Sequence, residues 1–236
     1  MHRGFALNEP KVADTLADAA VAPITSGMIV GLGTGRTASR AILALADRVR
    51  DEHLDIKCVS TSHVTDTLAR AHQLALVDFT LMERVDYMFD GADEVDEQMR
   101  MLKGQHGAIV RQRLMARAAD KRVYLVDEQK VVAKLGLRSA LAIAVLPWAL
   151  ASIRADLRNI GLNGVVRRTL DGGLFFTDNA SLILDVMVGE LNVEKLAEEL
   201  DHVPGVIDHG IYLDEADEIL IGQADGKVRR MVRPRE

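Results

Sequence analysis

Residues 28–37 read Met-Ile-Val-Gly-Leu-Gly-Thr-Gly-Arg-Thr, and this stretch decides the fold. The three apolar residues at its start are typical of a short strand that is covered on both faces of a parallel sheet. The glycines that follow allow the backbone to turn sharply. A helix is predicted over about residues 37–50. The stretch therefore forms a strand, a glycine turn and a helix, which is the repeating unit of an α/β protein.

Predicted strands continue to alternate with predicted helices over the first part of the chain. A polar turn follows several of these strands, at the edge where parallel sheets bind their ligands. The strands cover residues 56–59, 74–77, 87–89 and 122–126, and the helices cover residues 12–20, 64–71 and 108–119. This alternation predicts an α/β fold with a mostly parallel, Rossmann-like sheet, right-handed crossovers and helices on both faces.

The pattern changes after about residue 139. A hairpin around residues 171–173, a third strand and two helices predict a small, inserted α+β (ferredoxin-like) domain. Its helices cover residues 152–160 and 193–200, and its strands cover residues 165–168, 174–177 and 182–186. A last hairpin, formed by residues 218–222 and 227–232, is expected to return to the first sheet. The predicted domains are an α/β domain of residues 1–139 with 210–236 and a small α+β domain of residues 140–209.

The composition is that of an ordinary globular protein, with 48% hydrophobic and 27% charged residues in a chain of 236. This length is sufficient for a real core. The net charge is −6 and no segment forms a long basic stripe, which argues against a nucleic-acid partner. The basic residues near the C-terminus are interpreted as a solvated tail; they are Arg229, Arg230, Arg233 and Arg235.

Cys58 is the single cysteine, so an intrachain disulfide is excluded and a cytoplasmic location is expected. The N-terminus lacks the regions of a signal peptide, and no apolar run is long enough to span a bilayer. No membrane partner is therefore predicted. A metal site has no support, because the sequence contains neither a Cys-x-x-Cys pair nor a His-Glu-x-x-His motif.

The glycine turn could bind a phosphate. The start of the following helix offers free N–H groups and a positive dipole end. Thr34 and Thr37 would add hydroxyl donors, and Arg36 would add a guanidinium group. The match to a dinucleotide fingerprint is poor, because the third glycine, Gly35, is misplaced. Taken alone, the segment is as consistent with a plain tight turn as with an anion site.

Hydroxyl groups recur at the next strand end, where residues 60–65 read Ser-Thr-Ser-His-Val-Thr. Capping of the following helix would explain one or two of these hydroxyls without any ligand. Contact with a ligand is an equally good explanation, so both interpretations stay open at this point.

Acidic residues crowd a third strand end, where residues 90–96 read Asp-Gly-Ala-Asp-Glu-Val-Asp and Lys103 follows shortly downstream. Carboxylates at such a position can take part in proton transfers. A nearby lysine can hold them ionised and stabilise a developing oxyanion. The alternative is an acidic loop that is merely solvated.

Taken together, these segments resemble the ribose-5-phosphate isomerase A family. That family has a GxGTGSTA-like loop, an SSxxT-like turn, a DGADExD segment, a KGGGGAxxREK segment and a DxSKxVxxLG stretch. The corresponding residues in this chain are 31–38, 60–65, 90–96, 103–113 and 127–136. Further matches at residues 177–179, 204–206 and 221–222 extend the resemblance over nearly the whole chain, in the same order.

The resemblance implies an isomerase of the pentose phosphate pathway. It would interconvert ribose 5-phosphate and ribulose 5-phosphate through an enediolate, without a metal or another cofactor, as a homodimer or homotetramer. Asp90, Asp93 and Lys103 would assist ring opening and polarise the sugar oxygens. The substrate-binding residues implied are Thr34, Gly35, Arg36, Thr37, Gly91, Ala92, Gly104, Gln105 and Lys130.

The sequence departs from the family pattern at the catalytic base. Gln112 stands where the family has a glutamate, and an amide has no basic lone pair that could take a proton from carbon. Nearby, Gln105 and His106 replace glycines, and Arg36 replaces a serine. His106, or Glu94, could take over the role of base. Two alternatives are an isomerase of a different sugar phosphate and a catalytically silent paralogue that binds a pentose phosphate.

Overall fold

The fold is that of a computed structural model, which describes residues 14–234. The α-helices in this part of the chain are α1 (Thr15–Val21), α2 (Arg36–Glu52), α3 (His63–Ala71), α4 (Ile109–Ala118), α5 (Leu150–Asn159) and α6 (Val193–Asp201). The strands are β1 (Ile29–Leu32), β2 (Lys57–Ser60), β3 (Tyr87–Gly91), β4 (Glu94–Val95), β5 (Met101–Leu102), β6 (Arg122–Asp127), β7 (Leu141–Val145), β8 (Gly164–Val166), β9 (Leu182–Val186), β10 (Val206–His209), β11 (Ile211–Tyr212), β12 (Glu218–Gly222) and β13 (Val228–Val232). The predicted start of the first helix, at Val12, and Arg235 of the predicted tail lie outside the described residues.

The larger sheet has six strands in the order β13-β12-β6-β3-β1-β2. Its neighbouring strands are parallel except for β12 and β13, which form the predicted C-terminal hairpin at one edge. Successive strand residues point to opposite faces, so Phe89 and Leu125 pack with α1 and α2, whereas Met88 and Tyr124 pack with α4. The predicted mostly parallel sheet with helices on both faces is confirmed.

A second, antiparallel sheet has four strands in the order β10-β7-β9-β8. Along the chain its elements run β7-α5-β8-β9-α6-β10, which together with the strand order is the predicted ferredoxin-like arrangement. Buried Ile143 and Leu184 of this sheet pack with Ile153 of α5 and Leu196 of α6. The assignment of residues 140–209 to a separate domain stays a prediction.

Residues 174–177 do not form the continuous strand that was expected after the hairpin turn. Leu174 makes an isolated bridge to Arg168, whereas Phe176 makes one to Leu182. The two bridges lead to different partner segments, so no single strand lies beside residues 174–177 along their whole length. The hairpin itself is present, because Thr169 N donates to Gly173 O at 2.9 Å.

A third sheet consists of three two-residue strands in the order β11-β5-β4, and it positions the residue after β5, Lys103. Lys103 N donates to Gly210 O at 2.8 Å. A Cβ at Gly210 would lie 2.0 Å from Lys103 O, so this close approach requires glycine. Strands of two residues are too short to show a period, and the sequence prediction does not include them.

The strand predicted over residues 74–77 also differs from the structure. Residues 74–77 make only a bridge from Leu76 to Cys58, after which the Asp78 side chain accepts from Thr80 N at 2.9 Å and begins a 3₁₀ turn away from the sheet edge. Conversely, β7 is absent from the prediction. All five of its residues are buried, so no alternation of polar and apolar residues marks it. Within residues 14–234, no helix has the length and apolar character needed to cross a membrane.

Candidate active site

A cavity of about 270 Å³ lies at the carboxyl ends of β1, β3 and β6. Parallel strands end at the same edge of a sheet, so turns that are far apart in sequence meet there. The lining residues are Thr34, Gly35, Arg36, Thr37, Arg40, Gly91, Ala92, Asp93, Lys103, Gly104, Gln105, His106, Gln112, Asp127, Gln129 and Lys130. The structure therefore brings the predicted site residues together in one cavity, with the exception of Asp90.

The glycine turn directs the start of α2 at this cavity. A Cβ at Gly33 would lie 2.3 Å from Asp90 Oδ1, so the turn can approach Asp90 only with glycine at this position. Gly35 has a φ of +117° and immediately precedes α2. The first turn of α2 contains no acidic residue, so its N–H groups and positive dipole end are available to an anion.

Three hydroxyl groups within residues 60–65 contact Thr34 of the glycine turn. Thr34 Oγ1 lies 2.8 Å from Thr61 Oγ1, 2.8 Å from Ser62 Oγ and 3.1 Å from Thr65 Oγ1. Ser62 also caps α3, because its Oγ accepts from Thr65 N at 3.1 Å. Capping therefore accounts for Ser62, and the cluster of buried hydroxyls accounts for the other two. None of these three residues lines the cavity.

Asp90, at the end of β3, is fully buried and organises its neighbours. Its Oδ1 accepts from Thr34 N at 3.1 Å and from Gly91 N at 2.7 Å. Its Oδ2 accepts from Gln112 Nε2 at 2.8 Å and lies 3.0 Å from Lys103 Nζ. Because four donors surround this carboxylate and it does not line the cavity, it positions the groups that do.

Lys103 brings a buried positive charge to the cavity wall. Its side chain is 3% exposed, and its Nζ donates to Gly91 O in addition to its ion pair with Asp90. The same Nζ lies 5.3 Å from the ring centroid of Tyr124 and 5.7 Å from that of Tyr212. The carboxylate and the two ring faces stabilise a fixed ammonium group, which can stabilise negative charge on a bound ligand.

Asp93 and His106 both line the cavity. Asp93 Oδ2 accepts from Gln105 N at 3.0 Å, which ties the carboxylate to the loop that carries His106. The His106 ring is exposed at the mouth but backed by protein. This partial burial lowers the pKa of His106 below its usual 6.5, although the Asp93 carboxylate opposes the effect. The imidazole is therefore mostly neutral at pH 7 and able to accept a proton.

Lys130 and Arg36 add two cations to the cavity lining, and Arg36 is the first residue of α2. Lys130 Nζ donates to Ala92 O at 2.6 Å. Burial lowers the pKa of Lys130; the Asp93 carboxylate opposes this, and the Lys103 charge, followed by the Arg36 charge, adds to it. Two positive groups that repel each other beside a helix N-terminus form a site that an anion would stabilise.

Gln112 enters the cavity wall from α4 and is 3% exposed. Its Nε2 donates to Asp90, whereas its Oε1 is buried without a hydrogen-bond partner within the described residues. Leaving a buried acceptor unpaired costs about 1–3 kcal/mol. A hydroxyl group of a ligand in the cavity would satisfy it.

Arg40 and Asp127 also line the cavity, and sequence reasoning did not single them out. Arg40 Nη1 lies 3.1 Å from Asp127 Oδ1, and Arg40 Nε lies 2.6 Å from Asp14 Oδ2. Two signals could have found them. Arg40 follows Arg36 by one helical turn, so the two share a face of α2. Asp127 stands at the end of β6, where the polar turns of the other strands also lie.

Glu94, considered as a substitute base, lies away from the cavity and has a structural role. Its carboxylate is buried and accepts from Gly136 N at 2.6 Å and from Arg138 N at 2.7 Å, as well as from Ser139 N. These three backbone donors fix the segment that leads into β7. A carboxylate that is used in this way does not face a ligand, so the structure contradicts a role for Glu94 as the base.

Comparison with known proteins gives consistent matches. The model of a family described as ribose 5-phosphate isomerase A (phosphoriboisomerase A) matches residues 57–226. A ribose-5-phosphate isomerase A from Chlamydia trachomatis serovar L2 is 40% identical over 221 residues, which are 93% of this chain and 90% of that protein. A ribose-5-phosphate isomerase A from Thermomicrobium roseum is 40% identical over 214 residues, which are 90% of each chain.

Solved structures show the same relationship in three dimensions. Ribose 5-phosphate isomerase A from Methanocaldococcus jannaschii superimposes with a TM-score of 0.88 at 32% identity, over 93% of this chain and 97% of that one. A D-ribose-5-phosphate isomerase in complex with phospho-erythronic acid superimposes with a TM-score of 0.89 at 30% identity, again over 93% and 97% of the two chains.

Proposed function

Because this chain belongs to the ribose 5-phosphate isomerase A family, we propose that it interconverts ribose 5-phosphate and ribulose 5-phosphate. The observation that carries the proposal is the convergence of the glycine turn, Asp93, Lys103 and Lys130 on one cavity. The family membership favours this activity over the two alternatives, a silent paralogue and an isomerase of another sugar phosphate. The reaction would place the chain in the pentose phosphate pathway.

The phosphate group of the substrate is assigned to the start of α2. Arg36 and Lys130 would pair with its charge, and Thr37, in the first turn of the helix, would contribute backbone and hydroxyl donors. A phosphate dianion would also relieve the repulsion between the two cations. A relative bound to phospho-erythronic acid supports an acidic, phosphorylated ligand in this cavity.

The reacting carbons are assigned to the other part of the cavity, near Lys103 and Asp93. Asp93 would exchange a proton with the ring oxygen and the C1 hydroxyl during ring opening. The Lys103 ammonium would then stabilise the oxyanion of the enediolate, because it is fixed in place before the charge develops. Asp90 would act through Lys103 and Gln112 rather than by touching the sugar.

The base is assigned to His106. The neutral imidazole takes the proton from C2 of the open-chain aldose, the released electron pair forms a C1–C2 double bond, and the carbonyl electrons move to O1. A proton then passes from O2 to O1. The imidazolium returns its proton to C1, which leaves a carbonyl at C2 and gives the ketose. Gln112 would hold a sugar hydroxyl through its unpaired Oε1 and take no part in proton transfer.

The direct test follows ribulose 5-phosphate formation from ribose 5-phosphate by the unaltered chain, by His106→Ala and by His72→Ala. His72 is an exposed histidine outside the cavity and serves as the control. We expect activity in the unaltered chain and in His72→Ala, and a loss of about 10²–10⁴-fold in His106→Ala. If the unaltered chain is inactive, the proposed isomerase activity is wrong. An active His106→Ala variant would overturn the assignment of the base.

A homodimer or homotetramer in the cytoplasm is proposed as the state of the protein. Several large apolar side chains are exposed in the described part of the chain, including Trp148 at 92%, Met187 at 63% and Phe176 at 52%. Burial of these side chains against another copy would remove apolar surface from water. Light scattering coupled to size-exclusion chromatography would give the mass, and a mass of one chain would contradict the proposal.

A further inference from the structure

The loop of residues 104–107 carries Gln105 and His106 to the cavity mouth as a closed turn. Gly107 N donates to Gly104 O at 3.0 Å, and φ is +107° at Gly104 and +81° at Gly107. The His106 ring reaches toward Gly35, where an added Cβ would lie 3.0 Å from the imidazole. The position of the imidazole therefore depends on the groups that hold this loop.

Arg167, the residue after β8 in the smaller sheet, holds the loop from outside the cavity. Its Nη1 donates to Gly104 O at 3.0 Å and to Gln105 O at 2.9 Å. Asp185 of β9 holds the other edge of the guanidinium, because Arg167 Nε donates to Asp185 Oδ2 at 2.9 Å and Nη2 donates to Oδ1. The planar guanidinium is thus fixed on two edges by charge-assisted hydrogen bonds.

The hairpin after Arg167 adds an apolar contact to the same loop. A Cβ at Gly107 would lie 2.6 Å from Cε1 of Phe175, so the ring packs directly on the loop backbone. The Arg167 guanidinium lies 5.7 Å from the centroid of this ring. On the opposite side, Gln105 N donates to Asp93. The loop is therefore held between Asp93 on one side and Arg167 with Phe175 on the other.

An ion pair that merely stabilises the smaller sheet would account for Arg167 and Asp185 alone. It would not account for the donation from one Arg167 nitrogen to two successive carbonyls of a loop that lines the cavity. The Arg167 side chain is 16% exposed; its bond to Gly104 O is partly buried, and its bond to Gln105 O is exposed. These contacts indicate that Arg167 holds the 104–107 loop in place.

We propose that Arg167 is a positioning residue: together with Asp185, it fixes the 104–107 loop so that the His106 imidazole stays at the reacting carbon. The proposal rests on the proposed function, in which His106 is the base. Loss of the hydrogen bonds from Arg167 to the loop displaces the base. It leaves the phosphate-binding groups at the start of α2 in place. Turnover therefore falls, whereas KM changes little.

The kinetic test compares Arg167→Met with Arg168→Met. Arg168 is an exposed neighbour that donates to Gly172 O in its own hairpin, so it is the matched control. We expect kcat to fall by about 10- to 100-fold in Arg167→Met with KM within about threefold, and to be unchanged in Arg168→Met. The loss should be smaller in Arg167→Lys than in Arg167→Met. An ammonium group keeps the positive charge but cannot reproduce the planar set of N–H donors of a guanidinium group. An unchanged kcat in Arg167→Met overturns the proposal.

A second background separates positioning from general stability. The Gln112→Glu variant supplies a carboxylate base from α4, which does not depend on the 104–107 loop. In that background we expect Arg167→Met to lower kcat by less than about threefold. An equal loss in both backgrounds overturns the proposal, because Arg167 would then act through the stability of the smaller sheet.

A third readout does not depend on activity. In an NMR titration, Arg167→Met should raise the pKa of His106 toward its ordinary value of 6.5, because a released loop exposes the ring to water, and Arg168→Met should leave it unchanged. If the unaltered chain proves inactive, the proposed function fails. This titration still tests whether Arg167 holds the 104–107 loop. A His106 titration that is identical in Arg167→Met and the unaltered chain overturns it.

Discussion

The Gln112 side chain donates from Nε2 to Asp90 Oδ2 at 2.8 Å, while its own Oε1 remains buried and unpaired within the described structure. A protonated glutamic acid at this position could make the same donation. The amide therefore reproduces the acid form of the family's base but cannot reproduce its carboxylate. Asp90 and Lys103 form an ion pair of 3.0 Å beside the amide, and in the proposed mechanism proton transfer passes to His106.

Replacing Gln112 by glutamate should supply a second base in addition to His106. We expect Gln112→Glu to raise kcat by about tenfold or more, because a positioned base contributes about 10²–10⁴ in rate. Steady-state kinetics on ribose 5-phosphate would measure the change. Gln129→Glu, which makes the same substitution elsewhere in the cavity lining, is the control and should not raise kcat. A kcat that is unchanged or lower in Gln112→Glu would argue that the α4 position no longer reaches the reacting carbon.

The pH dependence of turnover should follow His106. The base must be neutral, and burial lowers the pKa of His106, so activity should rise with pH through a midpoint below 6.5 and reach its plateau by neutral pH. The profile of kcat/KM against pH measures this midpoint. Gln112→Glu should change the profile, because it adds a second titrating base. A midpoint well above 6.5 in the unaltered chain would contradict the assignment of the base to His106.

His209, buried between α6 and α4, should make the protein sensitive to acid. Burial and the Arg113 charge lower its pKa to about 4, although Asp201 opposes the shift with a contact of 3.1 Å to Nε2. The unfolded chain then binds a proton at a higher pH than the folded chain does. Stability is therefore lost as pH falls from 6.5 toward 4, by about 2 kcal/mol at pH 5.

Urea unfolding at pH 7 and pH 5 would measure this loss of stability. His209→Gln should reduce the difference between the two pH values by about that amount, whatever its effect on stability at pH 7. His72→Gln replaces an exposed histidine and should leave the difference as it is. If His209→Gln and the unaltered chain lose stability equally between pH 7 and pH 5, the acid sensitivity has another source.

Arg36 should act on phosphate binding alone. We expect Arg36→Ser to raise KM by about 3- to 10-fold with little change in kcat, because the proposed mechanism assigns Arg36 to the phosphate and not to the reacting carbons. The increase should shrink at high ionic strength, since Arg36 is exposed. Arg50→Ser changes an exposed arginine at the far end of the same helix and is the control. A fall in kcat with KM unchanged would place Arg36 elsewhere in the mechanism.

The predicted site residues were identified from turns that each follow a strand, and this is why most of them could be found from the sequence. The glycine turn and residues 90–93 follow β1 and β3, two parallel strands whose ends share one edge of the sheet. Lys103 was identified because it follows the acidic residues closely in the sequence, whereas Lys130, His106 and Gln112 came from the family resemblance. The sequence of the turns did not reveal which side chains are buried. Asp90 and Asp93 belong to the same acidic turn, but Asp90 is enclosed by four donors and does not line the cavity.

Other features depend on contacts between segments that are distant in sequence. The bonds from Arg167 to the 104–107 loop join two sheets, and residue 167 appears in the sequence only as part of a hairpin strand. The buried strand β7 has no polar alternation, and the predicted strand at 74–77 ends early because Asp78 caps a turn. Local patterns predict elements well, but the pairing of side chains across the fold requires coordinates.

The most direct measurement follows ribose 5-phosphate in D₂O by NMR, with the unaltered chain and with His106→Ala, alongside the binding affinity of each for ribose 5-phosphate. We expect the unaltered chain to form ribulose 5-phosphate with deuterium at C1. We expect His106→Ala to bind the sugar phosphate with similar affinity but to incorporate deuterium at least about 100-fold more slowly. Equal rates of deuterium incorporation in the two proteins would contradict the role of His106 as the base.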